Sequence, residues 1–502
     1  MIWINESHIV VMLTKVFDFI RVMCAQYWPT TLNSSEVYGC FEVTLIDEEK
    51  TADYVIRTIK LKCGPNECLR SKRSSSLDSD TDEYRIIYQL HYLSWSANSC
   101  PYSDSILKFR KRVRLYCEEL SDINSGPLVV HCSDGCGRTG VYCCLDANLQ
   151  LAEDEGFVDI FNYTKLLRES RKGMIENEEQ YRFIYELIDE YLSCGKTWFP
   201  SKEISQLLKY KSMKNPVNKQ NEYQQEFEKL MQMTSKLSIG DCAGGHRIEN
   251  RDKNRDVSIV PPDNFRPYLS SFQCNESTDY INAVFVDGYT RSKEYIATEW
   301  PMNKTISDIW SLIYDHDCNS VVILGGVPPN NTKSCPQFWP KETVKCKKYG
   351  PIFSVETMSK NSPPSINSWV FKINKKVASL TELMAGIKAE PKVTQIFEFN
   401  AWPYGHKVPT STNALVELIN MVERWRQRTA YGPVLVISAN GKSRIGVYCA
   451  ANLAIEQVVA HEEVDIFNAV KTVRRHRPAL IENITEYKYC YDLTLHYVCH
   501  YL

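Results

Sequence analysis

Val130-His131-Cys132-Ser133-Asp134-Gly135-Cys136-Gly137-Arg138-Thr139-Gly140 is the stretch that decides the fold of this chain. A short apolar run, Leu128 to Val130, precedes it, and Val141, Leu145, Leu149 and Ala152 follow at helical spacing. Strand, tight glycine loop and helix in that order outline a phosphate cradle. The glycines let backbone N–H groups turn inward, and the helix N-terminus adds positive potential. Arg138 can grip two phosphate oxygens with its planar fork. A cysteine in the same field is favoured as a thiolate, so Cys132 can attack phosphorus and form a phosphocysteine. Thr139 is placed to hydrogen-bond the sulfur, and His131 to support the loop. A plain glycine-rich turn would require neither His131 nor Arg138.

Working outward, a long-period repeat divides the chain. Met1-Ile2-Trp3 followed by Ile9-Val10-Val11-Met12-Leu13 matches Leu312-Ile313-Tyr314 followed by Ser320-Val321-Val322-Ile323-Leu324. Cys24-Ala25-Gln26-Tyr27-Trp28-Pro29 matches Cys335-Pro336-Gln337-Phe338-Trp339-Pro340. Val158-Asp159-Ile160-Phe161-Asn162 matches Val464-Asp465-Ile466-Phe467-Asn468, and Gly173-Met174-Ile175-Glu176-Asn177 matches Ala479-Leu480-Ile481-Glu482-Asn483. Spacing this long is a domain duplication, not a solenoid. The reading is a first domain over residues 1–195, a polar linker over 196–214 and a second domain over 215–502. The second copy has a leader before its matched region and the first has none, so the first reads as truncated at its N-terminus. Short β-branched runs at Ile9 to Leu13, Ser320 to Leu324 and Val434 to Ile437 predict buried strands, hence a mixed α/β (α+β) fold.

Composition agrees. The 502 residues are 43% hydrophobic and 24% charged, with a net charge of −2, so no basic excess points to nucleic acid. The first residues lack the marks of a secretory signal, so the 19 cysteines are read as reduced thiols of a cytosolic protein. The sequon Asn275-Glu276-Ser277 is then inert. No apolar run approaches the ~18 residues that span a bilayer. The Ser/Asp-rich residues 71–83 read as a solvated loop that offers a phosphorylation site. No metal and no cofactor are implied, since no further ligands stand at fixed spacing from His131. Cys143 and Cys144 read as core, and Cys136 as a weak disulfide partner for Cys132.

The cradle motif resembles the signature of the classical protein-tyrosine phosphatases. So do Cys24 to Pro29, Lys253-Asn254-Arg255, Ser277-Thr278-Asp279-Tyr280-Ile281-Asn282-Ala283 and Tyr295-Ile296-Ala297-Thr298. The resemblance covers nearly the whole chain, and tandem copies imply a receptor-type member. Trp402-Pro403-Tyr404, with one extra residue before Pro409, is most similar to the MAM-containing kappa/mu group. It implies two tandem phosphatase domains, each a twisted mixed sheet flanked by helices, and phosphotyrosine proteins as partners. It also implies contact between the two domains, within or between molecules, and a cytoplasmic place, at the plasma membrane if the chain is part of a receptor.

The family pattern breaks at several positions. Its proton donor is an aspartate in a Trp-Pro-Asp loop, and here Trp95 and Pro101 bracket Ala97. Losing a general acid costs about 10²- to 10⁴-fold. Asp134 stands where the family has a small residue. It faces the phosphate as a like charge, unless it takes up a proton and serves as the missing acid. Glu176 replaces a water-orienting glutamine, although Gln180 is retained. Ala97 with Asp134 is similar to the pair of changes in the islet-autoantigen receptor branch, a shared lesion and not an assignment. In the second copy Ser438 replaces the cysteine and Tyr404 the acid, while Arg444, Gly441 and Gly446 remain. The tyrosine that follows Lys-Asn-Arg in the family is Asp256 there. Three readings stand: a pseudophosphatase that recognises phosphotyrosine; a slow phosphatase working through Cys132 and Arg138; and a second domain that is a structural dimerisation surface.

Overall fold

The computed structural model describes residues 1–18, 20–64, 84–96, 99–121, 125–216, 219–271, 278–325, 335–376 and 389–502. The chain forms two compact units, Met1–Gly195 and Lys196–Leu502. The expected phosphorylation loop at 71–83 lies outside the described residues, as does Ser277.

In the first unit, six strands lie in the spatial order Ser35–Tyr38, Phe41–Lys50, Tyr54–Cys63, Tyr84–Tyr92, Ile9–Met12, Val129–His131. The first four pair antiparallel. Ile9–Met12 then runs parallel to both neighbours, with Ile9 opposite Tyr88 and Val11 opposite Val130. Its sequence, Ile-Val-Val-Met, is apolar throughout because both faces of the strand are covered. Ile9, Val11 and Leu13 enter a core with Phe109, Leu145 and Ile184 on one side. Val10 and Met12 enter a second core with Trp28, Leu45 and Ile59 on the other.

The second unit repeats this plan around an eight-stranded sheet. The order is Ala283–Val286, Tyr295–Glu299, Val434–Ser438, Ser320–Ile323, Lys392–Phe399, Ile366–Lys375, Phe353–Asn361, Cys346–Tyr349. Ser320–Ile323 occupies the place of Ile9–Met12, and Val434–Ser438 that of Val129–His131. The mixed α/β architecture and the predicted strands are as the sequence indicates, with ends displaced by a residue. Residues 196–214, read as a linker, lie inside the second unit. They carry the strand Phe199–Pro200, paired with Glu463–Val464, and the helix Ile204–Lys211. The Lys211 ammonium is buried between Glu222 and Glu226, 2.5 Å from each. The polar composition of the segment reads as a linker because it does not show that a buried pair of carboxylates neutralises one of its lysines.

The duplication extends to a strained corner. Ile175 and Ile481 both adopt a left-handed backbone, with φ of 59° and 62°. That conformation costs a β-branched residue on the order of 1–3 kcal/mol. Each corner is held by an arginine: Arg168 donates to the Met174 and Ile175 carbonyls at 3.0 and 2.6 Å, and Arg474 to those of Leu480 and Ile481. The corner presses against a helix glycine. A Cβ at Gly140 would lie 2.5 Å from Ile175 N, and one at Gly446 would lie 2.6 Å from Ile481 N. Gly140→Ala and Gly446→Ala should therefore each destabilise the protein by about 1–3 kcal/mol, measured by urea unfolding. Unchanged midpoints would mean that the corner yields freely, because alanine is the better helix former by about 1 kcal/mol.

Candidate phosphate cradle

Val129–His131 ends at the carboxyl edge of the sheet, and the helix Gly137–Glu155 begins six residues later. The turn between them is the cradle. It forms the floor of a cleft of about 610 Å³ lined by Cys132, Ser133, Asp134, Gly137 and Arg138, with Trp95, Glu176 and Gln180 on its walls. Of the other first-domain residues singled out in the sequence, His131, Gly135, Cys136 and Thr139 belong to the cradle but not to the lining of the cleft. Ala97 lies outside the described residues; its neighbours Trp95, Ser99 and Cys100 line the cleft, and Trp95 Nε1 donates to the Ser99 carbonyl at 2.9 Å.

His131 faces away from the cleft. Its Nδ1 lies 3.1 Å from the Cys132 carbonyl, so Nδ1 carries the proton and Nε2 accepts from Tyr27 Oη at 2.8 Å. Burial lowers the His131 pKa, which keeps the ring neutral. Tyr27 belongs to the Cys24-to-Pro29 motif, and this hydrogen bond is what that motif does for the cradle. Gly135 has φ +73° and its N–H points at Cys132 Sγ, 3.3 Å away. Arg171 Nη1 donates to the Gly135 carbonyl at 3.2 Å and fills the space a side chain at 135 would need.

One expectation is corrected here, and the doubtful role of Asp134 as the missing acid finds no support. The Thr139 hydroxyl is buried and has no hydrogen-bond partner among the described residues, so it does not bond the sulfur. Asp134 does not take up a proton. Its pKa is lowered, first by the Cys136 N–H, which donates to Oδ1 at 2.9 Å, while the Cys132 thiol donates to the same oxygen at 3.2 Å. The carboxylate is folded back over its own loop and consumes donors that face an anion in an empty cradle. It is not placed as an acid.

Arg138 Nη1 donates to the Leu13 carbonyl at 3.2 Å and to Thr14 Oγ1 at 3.3 Å, and its guanidinium lies 5.9 Å from the Trp95 ring centroid. Its Nε and Nη2 donate to no described residue. Gln180 Oε1 accepts from the Glu176 N–H at 2.8 Å, and both side chains come within 3.0 Å of where a Cβ on Gly137 would stand. The water-orienting position is thus occupied by a carboxylate next to an amide. Sequence reasoning missed three further wall residues. Asp18 and Arg21, on the hairpin Phe17–Asp18/Arg21–Val22, and Glu179 all line the cleft. Nothing in the local pattern of that two-residue hairpin signals proximity to Cys132.

The second cradle is closed on itself. The Ser438 hydroxyl is buried and without a hydrogen-bond partner among the described residues. Both terminal nitrogens of Arg444 are engaged: Nη1 donates to the Leu324 and Trp402 carbonyls at 3.1 and 2.7 Å, and Nη2 to the Pro403 carbonyl at 2.7 Å. Burial pushes its pKa down to about 10. Lys442 and Ser443 are both tied to Glu482, at 2.7 Å each. Trp402 repeats the Trp95 anchor, donating to the His406 carbonyl at 3.0 Å, and Tyr404 projects 58% exposed. Asp256 accepts from the Ser258 N–H and hydroxyl and so caps its own turn. Lys253 pairs with Asp308 at 3.0 Å, which makes that motif a structural one.

Removing the carboxylate should open the first cradle. Asp134→Ala should strengthen binding of sulfate, a dianion without titration in this range, by about 10-fold, less than an unscreened pair of charges would give. Calorimetry at pH 7 tests this. Because the folded-state pKa of Asp134 is depressed, the carboxylate stays charged until the pH falls below the ordinary aspartate range. The unmodified protein should accordingly gain no sulfate affinity between pH 7 and 5. A gain in that window would show that the Asp134 pKa is raised above the ordinary aspartate range.

The family model for protein-tyrosine phosphatase matches residues 1–190 and 250–496. Receptor-type tyrosine-protein phosphatase U of Gallus gallus is 34% identical over 500 residues, 99% of this chain and 32% of that protein. Receptor-type tyrosine-protein phosphatases S of Gallus gallus and F of Bos taurus are each 31% identical over 99% of the chain, covering 30% and 24% of their own lengths. The chain therefore spans a third or less of these relatives. With a cradle of the same design in both units and a match on two tandem segments, the chain belongs to the protein-tyrosine phosphatase family.

Proposed function

We propose that this chain is a receptor-type phosphatase module that recognises phosphotyrosine proteins in signalling while its cysteine-dependent dephosphorylation is severely impaired. The Asp134 carboxylate carries this reading. It accepts the Cys136 N–H, a donor that an incoming phosphate requires, and it holds the proton of the Cys132 thiol, which must leave before the sulfur can attack. Two unit charges about 4 Å apart repel by roughly 4 kcal/mol at an effective dielectric near 20, and by less where water screens them.

Two further substitutions act in the same direction. Attack of the Cys132 sulfur on phosphorus expels a phenolate that needs a proton, and Ala97 has none to give; this alone costs about 10²- to 10⁴-fold. Glu176 adds negative charge where water must be aligned to hydrolyse the phosphocysteine. In the second unit the serine hydroxyl has no base beside it, and Arg444 is spent on carbonyl groups. That unit serves the first as support or as a docking surface. The setting proposed is the cytosolic side of the plasma membrane, by analogy with the named receptor-type relatives. Among the described residues no helix is long and apolar enough to cross a membrane. The kappa/mu grouping rests on the Trp402-Pro403-Tyr404 loop alone.

The alternative is an active phosphatase working through a phosphocysteine on Cys132. Arg138 supports it, since two of its donor nitrogens bond no described residue and the side chain lines the cleft with Cys132. The deciding experiment compares phosphotyrosine-peptide hydrolysis by the chain with that of a variant carrying Ala97→Asp, Asp134→Ala and Glu176→Gln. We expect a silent parent and a variant at least about 10²-fold faster, the worth of a restored general acid. Parent activity that disappears in Cys132→Ser would refute the proposal and require a proton source elsewhere in the cleft.

A further inference from the structure

The two cradle arginines diverge at one neighbouring residue. Leu13 and Leu324 each give a carbonyl to the arginine of their unit, and the residue that follows is Thr14 in one and Gly325 in the other. Arg138 Nη1 makes its second bond to Thr14 Oγ1 at 3.3 Å, whereas Arg444 Nη1 makes its second to the Trp402 carbonyl at 2.7 Å. Gly325 has φ +41°, and a Cβ there would lie 2.6 Å from the Phe399 carbonyl oxygen and 2.9 Å from that of Trp402. The Trp402 carbonyl thus stands where a side chain at this position would go. Glycine admits it, and a threonine takes its place.

Thr14 is itself held by a buried polar group that the second unit lacks. Arg57, Gln89 and His91 are all buried in the sheet. Arg57 Nε donates to Glu48 at 2.7 Å, and its Nη1 to Gln89 Oε1 at 3.0 Å and His91 Nδ1 at 3.1 Å. A guanidinium cannot accept, so Nδ1 of His91 is the acceptor and Nε2 carries the proton. Nε2 donates to the Thr14 carbonyl at 2.7 Å. Burial pushes the His91 pKa down to about 4, which keeps the ring neutral and in this tautomer at pH 7. The Thr14 hydroxyl gives its own proton to the Lys15 carbonyl at 3.2 Å, which leaves its lone pairs to Arg138.

Strand register places Trp369 where the first unit has Arg57, Ile396 where it has Gln89, and Glu398 where it has His91. Trp369 packs on Trp339, with ring centroids 5.5 Å apart. A carboxylate cannot donate to a carbonyl as His91 does. The duplicate therefore builds this layer largely from apolar groups, so the fold itself does not demand the polar set. Buried charge costs stability unless its bonds are made, and here the chain of bonds ends on the residue that receives Arg138.

We infer that Thr14, fixed by His91 and Arg57, is the positioning residue that keeps the first cradle open to a phosphoryl dianion. Its hydroxyl gives Arg138 Nη1 an internal partner in the place of a carbonyl from the tryptophan loop, and Nε and Nη2 are left to the anion. This rests on the phosphate recognition proposed above.

The test is calorimetry with sulfate at pH 7 on the full chain carrying Asp134→Ala, the variant expected to bind sulfate best, with urea midpoints measured alongside. Adding Thr14→Val keeps the shape and removes the acceptor, and it should weaken sulfate by about 10-fold or more, the worth of one charge-assisted hydrogen bond. Adding Thr14→Ser instead keeps the acceptor and should bind as the parent does. Equal affinity with valine and threonine would overturn the inference and leave recognition standing. So would a loss that serine fails to restore, since shape and not the acceptor would then be responsible. If Asp134→Ala binds no sulfate, or binds it equally well with Arg138→Met, the recognition reading falls and this inference with it.

Discussion

Parallel pairing of a central strand with the strand that ends in the cradle governs both halves of this chain. Ile9–Met12 lies beside Val129–His131, and Ser320–Ile323 beside Val434–Ser438. In each half the residue just past the central strand continues the ladder: Leu13 N–H donates to the His131 carbonyl at 2.8 Å and Leu324 N–H to the Ile437 carbonyl at 2.9 Å. The carbonyl of that same leucine then receives the cradle arginine, Arg138 or Arg444. A shift in this register would displace the cysteine or serine position from its arginine. The strands are buried on both faces, so such a slip would also drive apolar side chains out of two cores at once.

On this shared frame the two cradles engage their anion-facing groups in different ways. The first keeps its nucleophile and its arginine and fills the ring of donors with an internal carboxylate, Asp134. The second has lost the nucleophile and turned its arginine inward, onto the carbonyls of Leu324, Trp402 and Pro403. A charged side chain is cheap to bury only when its hydrogen bonds are all made. Both terminal nitrogens of Arg444 make such bonds, and the loop after Trp402 is thereby tied to the cradle. Among the described residues Arg138 makes two such bonds, both from Nη1, which leaves Nε and Nη2 to a ligand. Among the described residues, one cradle thus keeps arginine donors open to a ligand, and the other directs them onto its own carbonyls.

The corner at Ile175 and Ile481 shows how the duplication was preserved. A left-handed isoleucine is unfavourable on its own, yet both units keep it, each with its arginine and its helix glycine. The corner sets how closely the helix start approaches the segment carrying Glu176 or Glu482. Both glutamates consequently stand at the rim of a cradle, Glu176 beside Gln180 and Glu482 on Lys442 and Ser443.

Much of this was legible in the chain of residues. The alternation of apolar runs, the glycine loop and the long repeat determined the fold class, the position of the cradle and the two arginines, because backbone geometry demands those residue types at those places. The losses at Ala97, Ser438 and Tyr404 were also readable, since chemistry is absent wherever its functional group is absent. Only the tertiary structure decided what Asp134 does. Whether a carboxylate is protonated or ionised depends on which N–H groups stand within 3 Å, and that follows from the turn of a five-residue loop. The same holds for Tyr27 beneath His131, for Asp18, Arg21 and Glu179 on the cleft wall, and for Lys211 buried inside a segment that looked like a linker. These are long-range contacts between stretches with no local signature, and they exist only once the strands have fixed which distant residues meet.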